Sequence, residues 1–351
     1  MKSIVLLSVP FVAGVAAATL IRCPETAAQH AACLLGSLAF VAAWHKDSGK
    51  RTVGALFFLL GCFCAMTAGQ FGDLAAPRFA GRVQASLCRL IDSVPWPHEE
   101  TAGLLSAVLT GSRDGLGRET VAIFRASGAS HILALSGLHL GIIYLIIGKL
   151  LLPLGNGRAA AVVRSSVLIL LCAFYTIVTG ASPSIVRAFL FICINEAASH
   201  SPGRRKDGVS VLCTALLLQL AVSPGVISSL GFQLSYLAMT GIFTIYPKIE
   251  GWYPKSRRLR RNPLAWIWRS FALTLSCQLF TAPLVWIRFH TFPKYFIITN
   301  LLALPLTWAM VVGAVLTLSL FACGVPVRQL VTITDNLAHA LISALEIVSG
   351  M

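Results

Sequence analysis

The stretch Ser130-His131-Ile132-Leu133-Ala134-Leu135-Ser136-Gly137-Leu138-His139-Leu140-Gly141 sets hydroxyls and imidazoles inside an apolar run. A serine three residues before a histidine puts a nucleophile and a base on similar helix faces. An intramembrane serine hydrolase, however, needs its imidazole from another helix, within hydrogen-bond reach of the serine. It also wants a glycine two residues before the serine, where this chain has Ala134. His131 and His139 are eight positions apart, not the four that let one helix face hold zinc. Hydrolysis, metal binding and a cofactor are not expected. Polar groups within hydrocarbon must be satisfied, so Ser136 and His139 should face protein or a water-filled cavity. Gly137 and Gly141 permit either close helix packing or a break in the helix. A hydrogen-bonded packing motif and a pore-shaping one both remain open.

Other polar groups interrupt apolar segments further along. Gly180-Ala181-Ser182-Pro183-Ser184 reads as a tight turn, with Pro183 placed to open the next helix. Arg187 follows one turn inside, either as a snorkelling interfacial cation or as one facing an anionic solute. Gln233 and Ser235 in Gly231-Phe232-Gln233-Leu234-Ser235-Tyr236, and Ser276-Cys277-Gln278, add uncharged polar groups. Interhelical hydrogen bonding explains each alone. Together they suit a polar-lined interior. The ten cysteines occur without a Cys-x-x-Cys motif and read as packing residues.

The elements that must hold these residues are membrane helices. Of 351 residues, 56% are hydrophobic and 12% charged, half the charged fraction of a soluble domain, about 25%. Apolar runs long enough to span are expected near 4–21, 28–44, 53–69, 132–152, 163–179, 184–199, 208–222, 229–246, 266–286, 296–320 and 328–348. The fold class is thus an all-α polytopic integral membrane bundle of about 10–11 spans, some broken or re-entrant. Lys2 and the run to Ile21 resemble a signal peptide, but the run is long and reads as a retained first helix.

The net charge is +15. With the N-terminus in the cytoplasm, most basic residues fall in inside loops, above all Lys255–Arg261, as the positive-inside rule requires. That loop is first a topology signal and a binder of anionic headgroups. Residues 1–69 form an N-terminal three-helix segment and 132–351 the main membrane domain. Between them, 70–131 are expected outside the cytoplasm, as short helices lying on the membrane surface. Phe79, Val83, Leu87, Leu90 and Ile91 make the apolar stripe of the first, ended by Pro95 and Pro97. The second, Glu100–Thr110, stops at Gly111. The third, Arg118–Ser127, stops at Gly128.

The series Gly103–Leu116, Phe124-Arg125 to Ser130-His131, Ser136-Gly137-Leu138-His139, Thr179–Ser184 and Val186-Arg187-Ala188 resembles the competence domain of ComEC-type DNA-internalisation proteins. Ser223-Pro224, Gly231–Ser235, Gln278 with Thr281-Ala282-Pro283, and Asn300–Pro305 continue the resemblance, which covers roughly residues 78–315. It implies an inner-membrane channel through which single-stranded DNA enters the cytoplasm during natural transformation. The form expected is a short one, without the OB-type and metallo-β-lactamase-like domains of larger members. Nuclease activity does not transfer, since no His-x-His-x-Asp-His cluster occurs. Ser136, Gly137, His139, Arg187, Gln233 and Ser235 are the residues expected to line or shape the channel. Arg125 is expected near its outer mouth, in contact with phosphate. Expected partners are single-stranded DNA, membrane lipids, separate DNA-receptor and motor proteins, and further copies of the chain. No nucleotide-binding loop is present to drive transport. The rival readings are a transporter or flippase of another anionic solute, and an intramembrane hydrolase using Ser136.

Overall fold

The structure is a computed structural model. It describes residues 2–20, 31–32, 34–38, 50–67, 78–155, 157–199, 207–253, 263–290, 295–325 and 328–350. Among these, all regular structure is helical. The elements are α1 (Lys2–Leu20), α2 (Lys50–Thr67), α3 (Arg78–Ser93), α4 (Glu99–Thr110), α5 (Arg118–Ala126), α6 (Ser130–Leu133), α7 (Gly137–Leu150) and α8 (Arg158–Val178). They continue with α9 (Pro183–Ser199), α10 (Gly208–Val222), α11 (Leu230–Thr244), α12 (Tyr246–Glu250), α13 (Pro263–Phe289), α14 (Phe296–Ala322) and α15 (Arg328–Ser349). The expected span at 28–44 and the basic loop Lys255–Arg261 lie largely or wholly outside the described residues.

Among the described residues, five helical stretches are long and apolar enough to cross a membrane: Gly137–Leu154, Ala159–Val178, Leu264–Phe289, Phe296–Ala322 and Arg328–Ser349. The protein is an all-α, multi-pass membrane protein. Two of the other expected spans, α10 and α11, have 15 residues each. At 1.5 Å per residue each reaches only about 22 Å, short of a hydrocarbon core about 30 Å thick.

The chain divides into two compact units. The first comprises Met1–Ala75 and Leu190–Phe243. Its α1 and α2 touch backbone to backbone. A Cβ on Gly14 would collide with the Phe58 carbonyl oxygen, and one on Gly61 with that of Phe11. In lipid, where apolar burial gives helices no preference for each other, such small-residue contacts are what hold them together. Phe11, Val15, Leu212, Leu220, Phe232 and Tyr236 form the core of this unit.

The second unit comprises Ala76–Phe189 and Thr244–Met351. Its centre is α4. Every residue from Gly103 to Thr110 is buried, and the core combines Leu104, Leu105 and Val108 with Phe124, Met310, Leu341 and Leu345. The surface-lying arrangement expected of this segment therefore does not describe α4, which α3, α6, α14 and α15 surround. The reason is visible in its composition. Beyond Glu99 and Glu100, α4 carries no charge and is apolar or small all round, so no face of it suits water. By contrast, α3 is strongly amphipathic and buries only one face. The loop after α4 folds back along it, bringing the Gly115 carbonyl into the space that a Gly103 Cβ would fill.

Candidate functional site: a buried arginine at a helix junction

The expected span at 132–152 is split. α6 ends at Leu133, Ala134 and Ser136 are extended, and α7 starts at Gly137. Ser136 is the N-cap. Its hydroxyl oxygen accepts from the Leu138 N–H at 3.3 Å, while the Ser136 N–H donates to His139 Nδ1 at 3.1 Å. This is a capping box with histidine where glutamate or glutamine usually stands. Ser136 Oγ is also 3.2 Å from His139 Nδ1. Because Nδ1 accepts, the neutral ring carries its proton on Nε2, which is buried with no hydrogen-bond partner among the described residues.

Gly137 then meets α9. A Cβ there would lie 3.0 Å from the Ala188 Cβ and 3.3 Å from Arg187 Nη2. Arg187 is 9% exposed. The helix that carries it opens at Pro183, after Gly180 and Ala181 turn the chain at φ values of 79° and 49°. Two segments singled out in the sequence thus converge within the second unit: Ser136-Gly137 and Val186-Arg187-Ala188. The guanidinium thus sits beside the N-terminus of α7.

His139 is 1% exposed, so it and Arg187 are enclosed in this conformation while Ser136 and Gly137 are half-buried. Arg125 is exposed in the last turn of α5, close to where the Thr299 hydroxyl donates to the Ser127 carbonyl at 2.8 Å. Gln233 and Ser235 belong to the first unit. The Gln233 amide donates to the Ile227 carbonyl at 2.9 Å, capping local backbone.

One cluster was not anticipated. Asp335 on α15 is fully buried and accepts three hydrogen bonds from the start of α4. They come from the His98 N–H at 3.1 Å, His98 Nδ1 at 2.5 Å and the Thr101 hydroxyl at 2.6 Å. His339, one turn further along α15, stacks flat on His98 with centroids 4.4 Å apart. The parallel rings cannot aim their in-plane nitrogens at one ion, and no metal-ligating group of three occurs among the described residues. An acidic residue inside an apolar span was the available signal.

These features invite comparison with known proteins. The chain matches the competence protein family over residues 108–351, well over half its length. The chain belongs to that family. It is 27% identical over 217 residues to ComE operon protein 3 of Bacillus subtilis (strain 168), covering 62% of this chain and 26% of that protein. It is 26% identical over 247 residues to the uncharacterized protein YcaI of Escherichia coli (strain K12), covering 66% and 30%. The chain thus spans less than a third of the length of either relative. No solved structure matches it. The family match takes in Ser136, Gly137, His139, Arg187, Gln233 and Ser235, so this competence-family protein carries the whole junction within the shared region.

Proposed function

We propose that this protein forms the membrane path by which DNA, as a single strand, enters the cytoplasm during natural transformation. The observation that carries the reading is membership of the competence family across the region containing the Arg187 junction. Arg187 supplies a desolvated cation that a phosphate group strengthens through charge-assisted hydrogen bonds, and Arg125 supplies an exposed one. The membrane is the bacterial inner membrane, with the N-terminus in the cytoplasm as the basic loops suggest. Separate proteins capture and drive the DNA, and copies of the chain associate with each other.

The proposed role is transport and calls for no catalytic step. The Ser136 hydroxyl faces the first turn of α7, and among the described residues His139 lacks the acidic partner that orients a catalytic imidazole. A fluorophosphonate probe is expected to label neither the wild type nor Ser136→Ala.

The test is deletion in a transformable host, followed by complementation with wild type and with Arg187→Gln. Deletion should abolish transformation, wild type should restore it, and Arg187→Gln should restore it at least tenfold less well. Transformation at the parental rate in the deletion strain refutes the proposal. A second reading is carried by the same arginine, which would serve any phosphorylated solute. Movement of a labelled anionic lipid by reconstituted protein that shows no response to single-stranded DNA would favour it.

A further inference from the structure

α15 bears a polar stripe along its entire length. Gln329, Thr332, Asn336, His339, Ser343 and Glu346 recur at steps of three and four, which places them on one face. All but the half-buried Ser343 are exposed. On the neighbouring face Ile333 and Ile347 are 55% and 63% exposed, as lipid-facing residues would be. A membrane helix polar along one exposed face has no place for that face in hydrocarbon.

The α3–α4 hairpin shows how deep the polar surface runs. His98 and Thr101 bind Asp335, whose neighbour Thr334 touches Gly313 and Thr317 of α14. Gly313 lies 17 residues from the start of α14 at Phe296, or about 26 Å along its axis. That is past the midplane of a core about 30 Å thick, even with ordinary helix tilt. The other end of α4 is shallow. The Tyr175 hydroxyl, near the C-terminus of α8, donates to the Leu109 carbonyl at 2.8 Å, and Gln84 of α3 donates to the Thr110 carbonyl at 2.9 Å. α3 therefore descends from the level of Thr110 toward that of Asp335, and α4 climbs back. Along the descent, Arg82, Ser86, Arg89 and Ser93 make an exposed polar row with the same three-four spacing. Arg82 lies at the shallow end of this row, and Arg89, about two turns further down, would be disfavoured if exposed to lipid.

We propose that α3 and α4 form a re-entrant hairpin and that the polar faces of α3 and α15 line a water-filled path into the membrane domain. The His98 ring, in the turn between α3 and α4, stacks on His339 of the α15 row. The path serves a hydrated solute, since it offers both charges and neutral hydrogen-bonding groups rather than a single-sign field. This inference stands on the multi-pass fold and is independent of which solute moves.

The test is thiol accessibility of the full chain in native membranes. Asn336→Cys, Arg89→Cys, Ile333→Cys and Ile347→Cys are treated with a membrane-impermeant maleimide, and each engineered site is read by peptide mass spectrometry, so the native cysteines can stay. Asn336→Cys and Arg89→Cys are expected to label at least tenfold faster than Ile333→Cys and Ile347→Cys. If the two polar-face variants label only after denaturation, both faces are packed and the path does not exist. Rapid labelling of Ile333→Cys would put α15 outside the bilayer and overturn the proposal equally. Should a variant fail to accumulate, Gln329→Cys and Ser86→Cys occupy the same faces. Transformation assayed after labelling separates the two proposals. Loss of uptake supports both, whereas labelling without loss keeps the water path and counts against its carrying DNA.

Discussion

Two helices of the second unit begin with the same problem and solve it differently. The first-turn N–H groups of any helix lack intrahelical acceptors, and burial makes that lack costly. α7 supplies its own acceptors, since Ser136 and His139 cap it within four residues. α4 has no side-chain cap from its N-cap residue, His98. Its start is satisfied by Asp335, 237 positions away on α15. A local cap stabilises one helix; a cap borrowed from another element also decides where that helix sits. The second kind therefore holds the core together, and the first leaves room for a break in a membrane span.

The largest expected effect follows at Asp335. Asp335→Leu leaves the His98 N–H, His98 Nδ1 and the buried Thr101 hydroxyl without their shared acceptor. Hydrogen bonds to a charged group contribute about 1.5–3 kcal/mol each, so a loss of about 3 kcal/mol or more is expected. Thermal unfolding in detergent should show it, together with new protease sensitivity in the loop between Ser93 and Glu99. Asp335→Asn, which keeps an acceptor, should lose roughly half as much. Equal losses would mean that the carboxylate charge, not the capping geometry, holds α4.

Gly137→Ala comes next. The added methyl would sit 3.0 Å from Ala188 and 3.3 Å from Arg187 Nη2, tighter than van der Waals contact allows. Overpacking of this kind costs about 1–3 kcal/mol. The arginine end can swing, so stability should fall by about 1 kcal/mol while transformation drops further. An unchanged transformation frequency at reduced stability would separate the junction from transport.

How much of this was legible depended on sequence distance. Gly111 and Gly128 ended their helices where expected, at φ of 83° and 80°, because that chemistry is local. Pro183 opened α9 for the same reason. The convergence of Gly137 with Arg187 could not be read, since it depends on how α7 and α9 cross. Neither could the burial of α4, whose small apolar residues suit an interface or a core equally until partners surround them. Asp335 was passed over because a single acid in an apolar helix states a demand without naming what meets it.

The smallest effect is the most discriminating. Ser136→Ala removes the N-cap hydroxyl and should cost about 1 kcal/mol. His139→Gln should cost less, because its amide oxygen can accept from the Ser136 N–H as glutamine does in ordinary capping boxes. His139→Leu offers no acceptor and should match Ser136→Ala. If His139 works only as a cap, His139→Gln restores both stability and transformation, and the double variant Ser136→Ala/His139→Leu costs less than the two singles combined, since each removes half of one reciprocal device. If the imidazole Nε2–H instead donates to a passing solute, His139→Gln regains stability yet loses transformation, and its effect adds to that of Ser136→Ala. The buried Nε2, without a partner among the described residues, makes this second outcome physically available, so the glutamine variant decides between a cap and a contact.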